Sequence, residues 1–251
     1  MKADPEQQRS LLRLQEIDTR LAQIDHARGR LPQIAALQEA TAAQQRLADD
    51  LVRAETSLSD VQRELTRAEA DVQQVRDRAA RDQARLDSGQ GSAKDLTALQ
   101  HELRSLARRQ SDLEDVEIEV MERHEAAEAS VTSLTAEREQ ADTRVAEVTR
   151  EHAAAAADLD AQRRDVAAPR EQLAADLDDA LVALYERVRA GSGGVGAAPL
   201  TARRCGGCQL ELNPVDLGAI ARAPADDVVR CEECGRILVR TDESGLPAVP
   251  A

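Results

Sequence analysis

Apolar residues recur along most of the chain in alternating steps of three and four. One long series runs from Leu37 to Ala79 and a second from Leu96 to Leu159. Both extend far beyond the three or four heptads that indicate a coiled coil. The pattern therefore predicts two long helices that pair along an apolar seam.

A shorter apolar series, from Leu14 to Leu31, precedes the first long one. The phase of the repeat slips between Leu31 and Leu37, beside Pro32. Because proline lacks a backbone donor and crowds the preceding turn, we predict a kink or break in the helix at this point.

The polar segment 87–92 separates the two long series. Its two glycines suit the end of a helix followed by a turn, and Ser92 with Asp95 three residues later is close to a capping box. Helices of similar length that are joined by a short connection pack antiparallel. The sequence thus predicts an antiparallel coiled-coil hairpin over residues 1–167, with its tip near 88–93.

Folding the chain back at this tip also predicts a register between the two helices. It sets Val61 near Val120, and it brings two polar seam residues, Gln44 and Arg138, together. We therefore expect cysteines at positions 61 and 120 to cross-link on oxidation.

Residues 168–196 are predicted to form a short helix and a linker. Leucines at helical spacing follow Pro169, which suits the first turn of a helix, and this helix is expected to end near Arg189. The run from Gly191 to Gly196 contains four glycines. Such a run is typical of a flexible linker.

Two Cys-x-x-Cys pairs follow the glycine run, with 22 residues between them. Each pair can turn two thiolates toward one point, and together the pairs complete a tetrahedral S₄ shell of the kind that holds Zn²⁺. Four protein ligands leave no coordination position for water, which makes such a site structural rather than catalytic. The predicted zinc ligands are Cys205, Cys208, Cys231 and Cys234.

Two other uses of these cysteines stay open at the level of sequence: a redox-active pair and an iron site of the rubredoxin type. Zinc is favoured because no strand-helix unit surrounds either pair and no aromatic residues accompany them. Residues 236–240 and 210–212 are predicted strands. Residues 197–251 are therefore assigned to a small β zinc ribbon with a flexible C-terminal tail.

The composition changes this picture in two ways. The 251 residues include one Tyr and neither Phe nor Trp, so a large globular core is improbable. The N-terminus has no apolar signal segment, and the longest uncharged run, 153–157, is too short to span a bilayer. We therefore expect a cytoplasmic protein that does not contact the membrane, with its cysteines reduced.

The net charge of −14 argues against general attraction to nucleic acid. Residues 197–245 carry six basic and eight acidic side chains, so the ribbon has no basic surplus either. A local contact to nucleic acid would have to come from the arginines beside the cysteines, namely Arg203, Arg204 and Arg236.

Three segments carry a resemblance to a known family: SAKDLTALQHEL at 92–103, LYERVR at 184–189, and the ribbon from Cys205 to Leu238. Together they resemble the bacterial C4-type zinc-ribbon proteins with a long N-terminal coiled-coil hairpin. Members of that family often have proline after the serine at the hairpin tip, where this chain has Ala93.

The resemblance implies zinc on the four cysteines and no catalytic residues. Some relatives are described as adaptors or chaperones that contact an alternative sigma factor, secretion components or flagellar messenger RNA. The expected fold is mainly α, with the hairpin followed by a short helix and the ribbon.

The expected function is that of a non-enzymatic adaptor or chaperone-like protein for protein partners, with a link to transcription. The alternative is an RNA- or DNA-binding protein that acts through the ribbon. Pairing of the thin hairpin with a second copy, as a homodimer, is also left open.

Overall fold

The computed structural model describes residues 1–246. The fold is mainly α, as predicted, with a long helical hairpin followed by a short helix and a small C-terminal sheet. The helices are Pro5–Arg28 (α1), Pro32–Asp87 (α2), Ala93–Ala175 (α3), Asp179–Gly191 (α4) and Pro214–Arg222 (α5), and the strands are Ala197–Thr201 (β1), Arg204–Cys205 (β2), Val229–Arg230 (β3) and Ile237–Val239 (β4).

The chain folds into two compact units. One contains Met1–Ile34 together with the chain from Glu151 onward, and therefore holds α1, α4 and the sheet. The other is Ala35–Arg150, which consists of the greater part of α2 and α3 with the turn that joins them.

The predicted break at Pro32 is confirmed. α1 ends at Arg28 and α2 begins with Pro32. Proline suits the first position of a helix because the N–H that it lacks would have no intrahelical acceptor there.

The predicted turn between the long helices is also confirmed. α2 ends at Asp87 and α3 begins at Ala93. The backbone N–H of Asp95 donates to Ser92 Oγ at 3.3 Å, and the N–H of Ser92 donates to Asp95 Oδ2 at 3.0 Å. This reciprocal pair is a capping box with aspartate in place of glutamate. The Ser92 hydroxyl also donates to Asp95 Oδ2 at 2.7 Å, and this bond, together with the one from the N–H of Ser92, lowers the pKa of the Asp95 carboxyl.

The apolar seam of Ala35–Arg150 is narrow. Its buried apolar side chains all occupy the positions that the heptad pattern assigned to the seam. They are Leu51, Val61 and Val72 on α2 and Leu106, Val120 and Val148 on α3.

The predicted contact between Gln44 and Arg138 is not found in this unit. Gln44 Nε2 donates to Asp142 Oδ1 at 2.7 Å, whereas the predicted partner was Arg138, one helical turn closer to the tip. Other long side chains reach partners on both sides of the predicted register, as Arg123 does with Glu64 at 2.5 Å and Arg78 with Glu102 at 2.6 Å. Side chains lean toward the N-terminus of their own helix, so α2 side chains lean away from the tip and α3 side chains lean toward it. This lean carries the side chain of Gln44 to Asp142, one turn further from the tip than Arg138.

Cysteine pairs test this register. If the shift seen for Gln44 extends along the seam, residue 61 faces residue 124 rather than residue 120. We expect the Val61→Cys/His124→Cys variant to cross-link on mild oxidation within one chain, and the Val61→Cys/Val120→Cys variant to do so more slowly. Gel mobility with and without reductant measures both, on a background in which the four native cysteines are zinc-loaded. Faster closure of the 61/120 pair would restore the register predicted from sequence.

The short helix starts later than predicted. Pro169 lies inside α3, which continues to Ala175, and the next helix starts at Asp179. An interior proline removes one backbone hydrogen bond, but α3 is held here by an ion pair of the adjacent Arg170 with Asp18 on α1. The break falls instead where the Asp178 side chain accepts from the N–H of Leu181 and caps α4.

The glycine run is ordered by contacts, contrary to the expectation of a flexible linker. Gln15 on α1 accepts from the N–H of Gly196 at 2.7 Å and donates to the carbonyl of Gly194 at 3.0 Å. A Cβ atom on Gly196 would lie 2.7 Å from the ring of Tyr185. Glycine is thus required here for close approach to α4.

The sheet has the order β2-β1-β4-β3, in which β1 and β4 are parallel and the other pairs are antiparallel. The predicted strand at 236–240 is found as β4, whereas 210–212 forms only an isolated bridge between Glu211 and Arg204. The strand β1 and the helix α5 were not predicted. The last five residues of the predicted flexible tail, 247–251, lie outside the described residues.

The N-terminal residues extend the same sheet edge. Lys2 forms a bridge with Asp227, Ala3 N donates to the Asp226 carbonyl at 2.8 Å, and Val228 N donates to the Met1 carbonyl at 3.0 Å. These bonds tie the start of α1 to the residues that lead into β3.

Candidate metal centre

The first cysteine pair sits in a tight loop after β2. Cys205 donates its N–H to the Leu210 carbonyl at 3.0 Å and accepts from the N–H of Gln209 at 2.7 Å. A Cβ on Gly207 would lie 2.5 Å from Cδ of Arg236, and one on Gly206 would lie 2.9 Å from Cδ of Pro199. Glycines between the two cysteines are therefore required by the crowding around the loop.

The second cysteine pair follows β3 and is built in the same way. Cys231 donates its N–H to the Arg236 carbonyl at 2.9 Å and accepts from the N–H of Gly235 at 2.8 Å. Gly235 has φ +71°, a left-handed conformation that glycine adopts without strain. Each loop thus turns its two side chains to the same side.

The four sulfurs meet at one point. All four Sγ atoms lie within 4.8 Å of one another, with Cys205 and Cys234 at 3.8 Å and Cys208 and Cys231 at 3.9 Å. In a tetrahedral S₄ shell with Zn–S bonds of about 2.3 Å, the sulfurs stand about 3.8 Å apart. The donor set and its dimensions therefore fit Zn²⁺ held by Cys205, Cys208, Cys231 and Cys234.

Burial opposes ionisation of two of the four thiols, whereas a third ionises more readily than a free cysteine. Burial raises the pKa of Cys205, and it raises the pKa of Cys231 to about 12. Burial also opposes ionisation of Cys234, but hydrogen bonds from the backbone and side chain of Arg236 outweigh it and lower the pKa of Cys234 to about 7. Zinc binding converts all four groups to thiolates, so the metal supplies the free energy that their ionisation requires.

Residues 1–246 contain two clusters of buried apolar side chains, and the metal site is part of the smaller one. Cys205 and Cys231 are buried and pack with side chains from β1, β4 and α5. The apolar members of this cluster are Leu200, Leu212, Leu217, Ile220 and Leu238. A metal centre that completes a core in this way is structural.

Of the three candidate arginines, two are on the surface. Arg203 is exposed in a turn with φ +66°, and its Nε donates to the Gly245 carbonyl at 3.3 Å. Arg204 is exposed and stands 3.8 Å from Glu211. Contact of either side chain with nucleic acid stays a prediction.

Arg236 differs from those two because its guanidinium is engaged within the chain. It donates to the Ser192 carbonyl at 2.7 Å and to the Val195 carbonyl at 3.2 Å. The side chain thus joins the glycine run to the second cysteine loop. Its contact with nucleic acid also stays a prediction, one that would require these bonds to be replaced.

A buried polar cluster, which the sequence analysis missed, lies where α1, α3 and α4 meet. Asp18 is 3% exposed. It accepts from Arg170 Nε at 2.6 Å and from the hydroxyl of Tyr185 at 2.7 Å, and Arg189 Nε lies 3.6 Å away. Glu186 pairs with both arginines. Burial raises the pKa of Tyr185 well above its usual range, and the hydrogen bond to the Asp18 carboxylate raises it further. The hydroxyl therefore stays protonated and remains a donor.

A sequence signal for this cluster exists but is weak. Tyr185 is the only aromatic residue of the chain, which marks the place where a large side chain is packed. Nothing in the spacing of residues identifies Asp18, 167 positions away, as its partner.

Within residues 1–246, no helix contains a stretch that is both long and apolar enough to cross a membrane.

Comparison with known proteins identifies both parts of the chain. Residues 14–193 match the model of the CT398-like coiled coil hairpin domain, and residues 204–238 match that of the C4-type zinc ribbon domain. The protein Rv2229c of Mycobacterium tuberculosis is 41% identical over 244 residues, which cover 96% of this chain and 98% of that protein.

Solved structures agree with these matches. A structure from Mycobacterium smegmatis is 40% identical, has a TM-score of 0.83, and is matched over 96% of this chain and 100% of that chain. CT398 of Chlamydia trachomatis has a TM-score of 0.69 over 94% of this chain and 98% of that chain; at 19% identity this likeness concerns the fold. The chain therefore belongs to the family of CT398-like coiled-coil hairpin proteins that carry a C4-type zinc ribbon.

Proposed function

We propose that this protein is a non-enzymatic adaptor in the cytoplasm, whose coiled-coil hairpin and zinc ribbon each contact protein partners. The observation that carries the proposal is the exposure of Ala35–Arg150. There α2 and α3 bury only a narrow seam and present most of their side chains to solvent. Two paired helices of this length expose far more side-chain surface than they bury, and an exposed helix face is a common site for protein partners.

The zinc centre supports a binding role rather than a catalytic one. Its four cysteine ligands fill the coordination shell of Zn²⁺, so neither water nor substrate can be activated on the metal. Thiolates that must stay reduced to hold zinc also suit the cytoplasm.

The ribbon offers a second contact. Val215 at the start of α5 is 77% exposed and Leu210 after the first cysteine loop is 53% exposed. Exposed apolar side chains on a rigid, metal-held scaffold are typical of protein interfaces. A link to transcription through such partners is part of the proposal.

A second candidate function, binding of RNA or DNA, rests on the exposed Arg203 and Arg204. The acids of the ribbon outnumber its basic residues, and Arg204 lies beside Glu211. Since the phosphate backbone supplies most of the affinity for nucleic acid, this charge balance disfavours that function.

Affinity capture of the tagged protein from its own cytosol, with and without nuclease, distinguishes the two functions. We expect protein partners that persist after nuclease treatment. The Cys205→Ser/Cys208→Ser variant should lose those that bind the ribbon and keep those that bind residues 35–150. Recovery of nucleic acid alone, abolished by Arg203→Ser/Arg204→Ser, would refute the adaptor function.

A further inference from the structure

Exposed apolar side chains are concentrated on one short stretch of α3. Ile118 is 56% exposed and Met121 is 45% exposed, although Val120 between them is buried in the seam. Positions three apart on a helix are neighbours on its surface. Ile118 and Met121 therefore form a small apolar surface that the hairpin itself does not use.

The same stretch carries most of the net negative charge of its unit. Residues 112–128 contain eight acidic side chains and one arginine, Arg123. At 100° per residue, Asp115, Glu122 and Glu125 fall on the same face as the two apolar side chains, within an arc of about 120°. We call these five residues the α3 patch: Asp115, Ile118, Met121, Glu122 and Glu125.

The carboxylates of the α3 patch are not neutralised by an ion pair. Some acids of α2 and α3 are paired across the helices, as Glu64 is with Arg123 and Glu114 is with Arg76, and others are not. None of the ion pairs in residues 1–246 involves Asp115, Glu122 or Glu125. Glu122 and Glu125 are three apart, a spacing at which like charges repel and destabilise a helix. The α3 patch is therefore a surface whose charges disfavour the free helix and would be relieved by a cationic ligand.

We propose that the α3 patch binds a basic amphipathic helix of a protein partner. Two apolar side chains of that helix would cover Ile118 and Met121, and lysines or arginines on its flanks would pair with the three carboxylates. This arrangement combines apolar burial at the centre of a contact with charge pairing at its rim. The proposal deepens the proposed adaptor function and rests on it.

Other occupants fit the α3 patch less well. A metal ion would use the carboxylates but not the apolar side chains between them, and nucleic acid would be repelled. A second copy that paired through this face by two-fold symmetry would bring the two sets of carboxylates together. A cationic apolar helix is the ligand that satisfies both features.

Synthetic peptides of roughly 16 residues, long enough to form a helix on binding, test the proposal. The probe carries leucines along one face and lysines on its flanks. One control peptide has glutamate in place of lysine, and another has serine in place of leucine. We expect fluorescence anisotropy to show saturable binding of the probe to the full-length zinc-loaded protein. The affinity of either control peptide should be lower than that of the probe by about tenfold or more.

Variants of the protein locate the binding. Ile118→Ser/Met121→Gln and Glu122→Gln/Glu125→Gln should each weaken binding of the probe about tenfold or more. Matched controls, Val52→Ser on α2 and Glu137→Gln/Glu139→Gln on α3, remove an exposed apolar side chain or two charges elsewhere and should leave the affinity unchanged. Thermal melting checks the fold, and Glu122→Gln/Glu125→Gln should melt no lower than the parent because it removes repulsion.

Equal affinity of parent and patch variants would overturn the proposal, as would equal binding of the serine peptide, which would show charge attraction alone. A change of sedimentation with the patch variants would assign the surface to a second copy and overturn it too. Partners captured from cytosol that resist all patch variants would leave the adaptor function standing while this surface assignment fails.

Discussion

Replacing Cys205 and Cys208 by serine should unfold the ribbon and leave the helices of Ala35–Arg150 intact. Structural zinc contributes about 10–16 kcal/mol in zinc-finger peptides, more than the core around Cys205 and Cys231 can supply without it. Hydrogen exchange should show loss of protection in residues 197–246. Protection should also fall in α1 and α4, because Gly196 and the sheet pack against them.

Glu232→Gln/Glu233→Gln is the matched control, since it changes the two residues between Cys231 and Cys234 without touching a ligand. It should keep one zinc ion per chain by metal analysis and normal protection. Chelation of the parent should reproduce the serine variant, and added zinc should reverse it. A ribbon that stays protected without metal would show that the four cysteines are not required for its fold.

Replacing Asp18 by alanine should cost about 3 kcal/mol of the free energy of unfolding. Arg170 and the Tyr185 hydroxyl lose the buried carboxylate that they share and keep only Glu186 and Gln15 as partners. Denaturant unfolding, followed by a signal from the compact unit that holds α1 and α4, measures this loss. Tyr185→Phe removes one donor and keeps the charge pair, so it should cost about 1–3 kcal/mol.

A matched control exists on the same two helices. Asp25 on α1 pairs with Arg163 on α3 at 2.9 Å, but both side chains are about half exposed. Asp25→Ala should therefore cost about 0–1 kcal/mol. Equal losses for the Asp18 and Asp25 variants would mean that burial of the Asp18 cluster adds nothing to its strength.

The hairpin and the zinc centre could be predicted because their signals are local. The seam is a repeat of three and four, the tip is a capping box within four residues, and each cysteine pair is complete within four residues. A single zinc site requires in addition that the two cysteine pairs come together, and all four sulfurs do lie within 4.8 Å of one another.

The errors arose where distant residues decide local structure. Pro169 suits a helix start by its own chemistry, yet the pairing of Arg170 with Asp18 keeps α3 continuous. The glycines after α4 predict flexibility, yet Gln15 binds their backbone from the other end of the chain. Local preferences of one or a few kcal/mol are overridden by such tertiary contacts.

The sequence by itself determined which segments are helical hairpin and which form the ribbon, since periodicity and ligand spacing are properties of neighbouring residues. Only the tertiary structure decided the partner of Gln44 on α3, the role of Arg236 inside the chain and the burial of Asp18 beside Tyr185. These three features depend on the direction in which side chains lean and on partners that are far apart in sequence. The spacing of neighbouring residues encodes neither that direction nor those partners.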